Sequence, residues 1–93
     1  MQRSSIAIGV ALATAVAGFA ATSAQAQDAC QRLWVARNSI YKAAGYCFKT
    51  PRAIGYFGNG GCQYDREGDL PLSRDDRARI NEIQAQERNY GCR

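Results

Sequence analysis

The chain has 93 residues, a net charge of +4 at pH 7, four cysteines and no histidine. This length predicts a single domain with a thin core. The lack of histidine excludes every mechanism that needs an imidazole, including Ser-His and Cys-His nucleophilic pairs. The basic excess is modest and interleaved with acidic residues, so we expect no nucleic-acid partner.

The N-terminal residues have the pattern of a secretion signal. Arg3 precedes an apolar run over residues 6–21, and Ala24-Gln25-Ala26 fits the small-x-small cleavage pattern. We predict a signal peptide over residues 1–26, cleaved near Ala26, and a domain over residues 27–93. The run is shorter than the ~20 residues that cross a bilayer comfortably, so we expect no stable membrane insertion after cleavage. An uncleaved membrane anchor is the alternative.

The first helix is predicted over residues 29–44. Asp28 is a candidate N-cap, and Gly45 can adopt the left-handed conformation that ends a helix. Apolar residues recur at helical spacing and predict one buried face, which consists of Leu33, Ala36, Ile40, Ala43, Ala44 and Cys47. Trp34 and Tyr41 widen this face.

Residues 46–64 form an aromatic, glycine-containing region without regular periodicity. Thr50-Pro51 favours a new helix that begins at Pro51 and makes one or two turns up to Phe57. The glycine-rich segment over residues 58–61 predicts a turn. Such a turn would bring Cys62 back toward Cys47.

The last helix is predicted over residues 74–90. Ser73 is its expected N-cap, Asp76 completes a capping box three residues later, and Gly91 ends the helix. Its narrow apolar stripe consists of Ile80, Ile83 and Tyr90. The sequence therefore predicts a small, mostly α-helical, disulfide-linked domain with two to three helices and an aromatic, Gly-containing loop region.

The cysteines predict disulfides, because an exported chain folds in an oxidising compartment. They are Cys30, Cys47, Cys62 and Cys92, which allow three pairings. A helix over residues 29–44 would separate Cys30 from Cys47 by roughly 20–25 Å, beyond the ~7 Å that the Cα atoms of a disulfide allow. We favour Cys47–Cys62 with Cys30–Cys92, while Cys30–Cys62 with Cys47–Cys92 stays open. No Cys-x-x-Cys pair is present, so we expect no metal and no cofactor.

One block of the sequence carries a family resemblance. It reads Arg37-Asn38-Ser39-Ile40-Tyr41-Lys42-Ala43-Ala44-Gly45-Tyr46-Cys47-Phe48, and a Tyr56-Phe57 pair follows. This block resembles the YARHG domain, whose pattern is Arg-Asn-x-Ile-Tyr-Ala-Arg-His-Gly-Tyr-x-Phe. The family also has a final helix opened by Leu-Ser or Leu-Thr with a late Glu, and Leu72-Ser73 and Glu87 are similar to it.

The resemblance implies a small extracellular bacterial module, periplasmic or secreted, with cell-wall-related binding or catalysis. The chain departs from the family motif at one point, because Ala43 and Ala44 stand where the motif has Arg and His. Any chemistry that the Arg and His carry in the family is therefore not expected here. The resemblance implies a fold and a location rather than a reaction.

Aromatic and polar side chains form a candidate ligand surface. It consists of Trp34, Arg37, Asn38 and Tyr41 on the first helix, with Tyr46, Arg52 and Tyr56 opposite them. Aromatic faces accompanied by Arg and Asn are typical of sugar or peptide recognition. The competing interpretation is structural, because buried polar groups need partners and a small domain uses its aromatics as core.

The leading functional prediction is a non-catalytic binding or structural module of the bacterial envelope, with peptidoglycan or an envelope protein as partner. The alternative is a cell-wall-modifying enzyme that uses paired carboxylates for acid–base work. Its candidate groups are Asp65, Glu67, Asp69, Asp75, Asp76, Glu82 and Glu87. A titratable pair in a cleft would favour the enzyme, and an aromatic-rimmed surface would favour binding.

Overall fold

The computed structural model describes residues 23–93, which form three α-helices and one short 3-10 turn. The helices are α1 (Ser23–Ala43), α2 (Pro51–Phe57) and α3 (Arg74–Asn89), and the 3-10 turn spans Glu67–Asp69. Both α2 and α3 pack against α1. Over these residues the extended pairing is limited to an isolated bridge between Tyr46 and Tyr64. The prediction of a mostly α-helical domain is confirmed.

Helix α1 begins earlier than the sequence predicts. It starts at Ser23, so Asp28 lies inside the helix and is not its N-cap. The prediction was wrong because Ala and Gln dominate residues 23–27, and no Gly or Pro interrupts the helix there. The predicted signal peptide lies mostly outside the described residues, and the predicted cleavage point after Ala26 falls within α1.

The buried face of α1 matches the predicted one in part. Ala29, Asn38 and Tyr41 are its buried residues, whereas the predicted Ala43 is exposed. Trp34, Ile40 and Ala44 pack against the core as predicted.

The ends of α2 and α3 follow the predicted capping chemistry. The Thr50 side chain accepts a hydrogen bond from the Ala53 amide at the start of α2, with Pro51 in the first turn. In α3 the Ser73 and Asp76 side chains exchange hydrogen bonds with each other's backbone amides. Each reciprocal bond satisfies an amide that has no partner within the helix.

The apolar stripe of α3 is shorter than predicted. Ile83 is fully buried and Ile80 nearly so, and Ile80 belongs to the aromatic core cluster. Tyr90 is 51% exposed and does not continue the stripe. The helix ends at Asn89, and Gly91 takes a φ of 71° just beyond it.

Gly45 turns the chain from α1 into the aromatic loop. Its φ is 96°, and a Cβ atom there would lie 3.3 Å from the ring of Tyr64. The Gly45 carbonyl accepts hydrogen bonds from the amides of Gln63 and Tyr64, and the Cys47 amide donates to the Tyr64 carbonyl. These bonds hold the start and the end of the loop side by side.

The core is an aromatic cluster enclosed by the three helices. The rings of Phe48 and Phe57 stack with centroids 5.0 Å apart, and Tyr46 meets Phe48 edge-on at 5.2 Å. Tyr41 lies 5.9 Å from Tyr46. Aliphatic side chains close the cluster, among them Ala53, Leu70 and Ile80.

Asn59 connects the two sides of the loop. Its side-chain oxygen accepts a hydrogen bond from the Phe48 amide at 2.7 Å, and its nitrogen donates to the Phe48 carbonyl at 3.0 Å. One side chain therefore satisfies both backbone groups of a buried aromatic residue. The predicted turn over residues 58–61 therefore also holds Phe48 in place through the side chain of Asn59.

The disulfides join Cys30 to Cys92 and Cys47 to Cys62, the favoured one of the two pairings that the sequence left open. Their Cα atoms lie 5.5 and 5.1 Å apart. The first bond ties the N-terminal half of α1 to the chain end after α3. The second closes the aromatic loop.

Candidate functional site

The candidate ligand residues fall into three separate groups in the structure. Arg37 contacts α3, whereas Asn38, Tyr41 and Tyr46 belong to the core or its edge. The third group contains Trp34, Arg52 and Tyr56, in which Trp34 contacts both of the others. The sequence therefore identified residues that matter for packing together with a smaller set that forms a surface.

Arg37 forms a two-point ion pair with Glu87. Its Nε lies 2.9 Å from Oε1 and its Nη2 lies 3.1 Å from Oε2 of the carboxylate. The two side chains are only 22% and 13% exposed. Burial alone lowers the pKa of Arg37, but the hydrogen bond and charge of Glu87 outweigh it and raise this pKa. The pair links α1 to α3.

Asn38 and Tyr46 have structural surroundings. Asn38 is 7% exposed, and its side-chain nitrogen donates to the Trp34 carbonyl one turn earlier in α1. It does not reach the aromatic loop, which Asn59 holds instead. Tyr46 packs between Tyr41 and Phe48.

Tyr41 is 5% exposed, and its hydroxyl interacts with two charges of opposite sign. Burial raises its pKa above the ordinary 10.0, the negative charge of Glu67 raises it further, and Arg37 opposes this shift. Deprotonating the hydroxyl in the folded state would place a second negative charge beside Glu67. The fold therefore favours the neutral phenol.

This raised pKa predicts a loss of stability in alkali. The unfolded state releases the Tyr41 proton first, so the free energy of unfolding falls as pH rises from about 10 through the folded-state pKa. In Tyr41→Phe that contribution is absent, and we expect its stability to decline less steeply above pH 10 than that of the wild type. Urea denaturation of both oxidised proteins between about pH 7 and about pH 11 measures the difference. Parallel stability curves would contradict the assignment.

The third group forms an exposed surface, here called the aromatic face, which consists of Trp34, Arg52 and Tyr56. The guanidinium carbon of Arg52 lies 3.8 Å from the centre of the Trp34 ring, a cation–π contact. Tyr56 meets Trp34 edge-on with centroids 5.7 Å apart and is 58% exposed. Arg52 also donates to the Gln31 side chain. Local contacts therefore fix the positions of Trp34 and Arg52 at the surface.

A groove of about 380 Å³ opens beside the aromatic face. Gln31, Trp34 and Arg52 line it, and Glu87 and Tyr90 also contribute to its lining. The Cys30–Cys92 disulfide lies in the lining as well. The groove thus sits where α1 meets the chain end, and its volume is in the range of small-molecule sites.

The groove and the aromatic face suit a ligand with one apolar side and several hydroxyl groups. The C–H face of a sugar ring packs against an aromatic ring, while guanidinium and amide groups hydrogen-bond its hydroxyls. Gln31 accepts one of the five Arg52 donors, which leaves the others for a ligand. Tyr90 adds a second exposed aromatic ring to this groove.

Several carboxylates of the alternative enzymatic hypothesis have local partners in the described residues. Asp65 pairs with Lys49, Asp69 with Arg66, Glu82 with Arg79 and Glu87 with Arg37, and Asp76 caps α3. Five grooves over residues 23–93 are each lined by at most one side-chain carboxylate. In the same residues no group of His, Cys, Asp and Glu could hold a metal ion.

Some site residues were not identified from sequence. Gln31 and Tyr90 line the groove, and Asn59 holds the loop, but none of the three lies in a recognisable ligand pattern. The three-residue spacing between Gln31 and Trp34 on α1 signals that they share a side of the helix. Nothing local in the sequence signals that Tyr90 faces them.

The two alanines at the departure from the family motif border a hollow of about 430 Å³. Ala43, Ala44 and Ile40 line one side, and Pro71 and Asp76 line the other. Asp76 is already engaged in the α3 capping box. The small side chains at these positions therefore leave open space at the end of α1.

Comparison with known proteins identifies the family. No curated protein and no solved structure gives a significant match to the chain. None of the helices over residues 23–93 has the length and apolarity needed to cross a membrane. The family description of the YARHG domain matches residues 8–88, which is most of the chain. A small extracellular-type domain of this kind agrees with the two disulfides, and the protein belongs to the YARHG domain family.

Proposed function

We propose that the protein is an exported, non-catalytic binding module of the bacterial envelope, and that its aromatic face binds the glycan of peptidoglycan. The observation that carries this proposal is the exposure of Tyr56 beside a Trp34 ring covered by Arg52. The aromatic cluster around Phe48 forms the core, and Trp34 packs against its edge through Phe57. Tyr56 stays exposed beyond that cluster, next to Trp34.

Energetic considerations support a ligand at this surface. Tyr56, on the short helix α2, is 58% exposed. An apolar side chain that stays in water forgoes the roughly 25 cal/mol per Å² that burial of its exposed area would provide. A ligand that covers the aromatic face would bury this area.

The predicted export step fits the same proposal. Ser23 and Ala26 contribute to the lining of the groove beside the aromatic face. Cleavage after Ala26 would remove both and leave Gln31, Trp34 and Arg52 in place. The groove would then be wider in the mature protein, and its recognition residues would be retained.

Trp34 provides a direct test, because it is the single tryptophan of the chain. We expect soluble disaccharide-peptide fragments of peptidoglycan to change its fluorescence in a saturable way, since the ligand packs against the Trp34–Arg52 pair. Tyr56→Ala and Arg52→Ala should each weaken binding about tenfold or more. The protein is purified in oxidised form from a secreting bacterial host.

Arg74→Ala is the matched control for charge. Arg74 is exposed at the start of α3 and lies outside the groove lining, so its loss removes the same charge without altering the aromatic face. Its affinity should equal that of the wild type. Fluorescence that stays constant up to about 10 mM fragment, or equal losses in Arg52→Ala and Arg74→Ala, would refute the proposal.

A further inference from the structure

A second groove, of about 420 Å³, lies away from the aromatic face and is called here the polar cleft. Its polar lining consists of Tyr41, Glu67, Arg77, Asn81 and Gln84. Leu72 and the buried Ile80 supply its apolar part. A concave site with a few polar groups over an apolar floor has the composition of a small-ligand site.

The register of α3 brings three of these groups together. Arg77, Asn81 and Gln84 are separated by four and three residues, so they occupy one face of the helix. The 3-10 turn at Glu67–Asp69 supplies Glu67, and α1 supplies Tyr41. Three chain segments therefore contribute polar groups to the same space.

The two charges of the polar cleft are not paired with each other. Over residues 23–93 neither Glu67 nor Arg77 takes part in an ion pair, whereas Arg66 and Asp69 beside Glu67 bind each other. The side chains of Asn81 and Gln84 likewise make no hydrogen bond within the described residues. Glu67 already interacts with the Tyr41 hydroxyl. Its remaining acceptor positions, together with Arg77, Asn81 and Gln84, are available to one ligand.

We propose that the polar cleft binds a short peptide that carries both a free ammonium and a free carboxylate. The ammonium pairs with Glu67 and the carboxylate pairs with Arg77, which can hold it through two parallel hydrogen bonds. Asn81 and Gln84 present amide groups, which donate to and accept from a peptide bond. Leu72 and Ile80 accommodate a small apolar side chain.

The charge balance of the polar cleft favours this class of ligand over an anion. One carboxylate and one guanidinium leave the lining neutral, so a phosphate would be repelled by Glu67 as it approached Arg77. A zwitterionic ligand satisfies both charges at once. A neutral sugar would leave both without an ionic partner.

Dialanine is the probe, and its binding is followed by amide chemical shifts of the oxidised, isotope-labelled protein. We expect saturable shifts at residues of the polar cleft. N-acetyl-dialanine lacks the ammonium and dialanine amide lacks the carboxylate, so each should bind about tenfold more weakly or worse. L,L and D,D dialanine are titrated separately, and binding of either supports the proposal.

Two variants test whether Glu67 binds the ammonium of dialanine and whether Arg77 binds its carboxylate. Glu67→Gln should bind dialanine and its N-acetyl form equally, and Arg77→Gln should bind dialanine and its amide equally. Arg79→Gln is the matched control, because Arg79 lies on α3 outside the cleft and pairs with Glu82. Absence of cleft shifts at about 10 mM dialanine would overturn the proposal, as would discrimination that survives both cleft substitutions. The probe contains no glycan, so failure here leaves the proposal for the aromatic face unaffected.

Discussion

Replacing Cys30 and Cys92 together with serine is expected to lower the free energy of unfolding by about 4 kcal/mol. The bond between them closes a loop with a sequence separation of 62 residues, the longer of the two disulfide loops. Without it, the unfolded chain gains the conformations that the crosslink excluded. A domain of this size has little other stability with which to offset that loss.

Urea denaturation by circular dichroism measures the effect. The double variant Cys47→Ser/Cys62→Ser is the control, since its loop has a sequence separation of 15 and its expected loss is about 3 kcal/mol. Both variants keep one native disulfide. Equal free energies of unfolding for the Cys30→Ser/Cys92→Ser variant and the wild type would contradict this prediction.

Glu87→Ala is expected to cost about 3 kcal/mol, the second-largest effect. The substitution leaves the Arg37 guanidinium in a mostly buried position without its carboxylate, and removing one partner of a buried pair strands the other charge. The link between α1 and α3 is lost with it. Thermal and urea denaturation of the oxidised protein at pH 7 measure the change.

Two comparison variants distinguish the destabilisation caused by an unpaired buried charge from that caused by a general loss of contacts. Glu82→Ala removes one partner of the exposed pair with Arg79 and should cost less than about 1 kcal/mol. The double variant Arg37→Met/Glu87→Leu removes both charges and should be more stable than Glu87→Ala alone. Equal stability of Glu87→Ala and Glu82→Ala would show that the Arg37–Glu87 pair does not hold α1 to α3.

Local chemistry made much of the fold predictable. The helix ends depend on contacts within a few residues, so sequence alone specifies them. Examples are the N-caps at Ser73–Asp76 and Thr50–Pro51 and the helix terminations at Gly45 and Gly91. The length of α1 was also enough to rule out a bond between Cys30 and Cys47. The start of α1 was not predictable from Asp28, because an acidic residue is tolerated inside a helix whose neighbours favour it.

The candidate site was less predictable, since its contacts join distant parts of the chain. Arg37 and Glu87 are 50 residues apart, and no local pattern indicates that they meet. The sequence grouped Tyr41 with Trp34 because seven residues separate them on one helix face. In the structure the two residues have different surroundings. Tyr41 is buried in the core, whereas Trp34 lies at the edge of the core under Arg52. Tertiary packing, not periodicity, decides which aromatic residues can meet a ligand.

Co-sedimentation of the oxidised protein with purified peptidoglycan sacculi measures binding of the cell wall by the aromatic face. We expect binding that persists at about 1 M salt, where charge attraction is screened beyond about 3 Å. We also expect loss of binding in folded Tyr56→Ala and full binding in Arg74→Ala. Binding that salt abolishes, or that Tyr56→Ala and Arg74→Ala retain equally, would contradict the proposal.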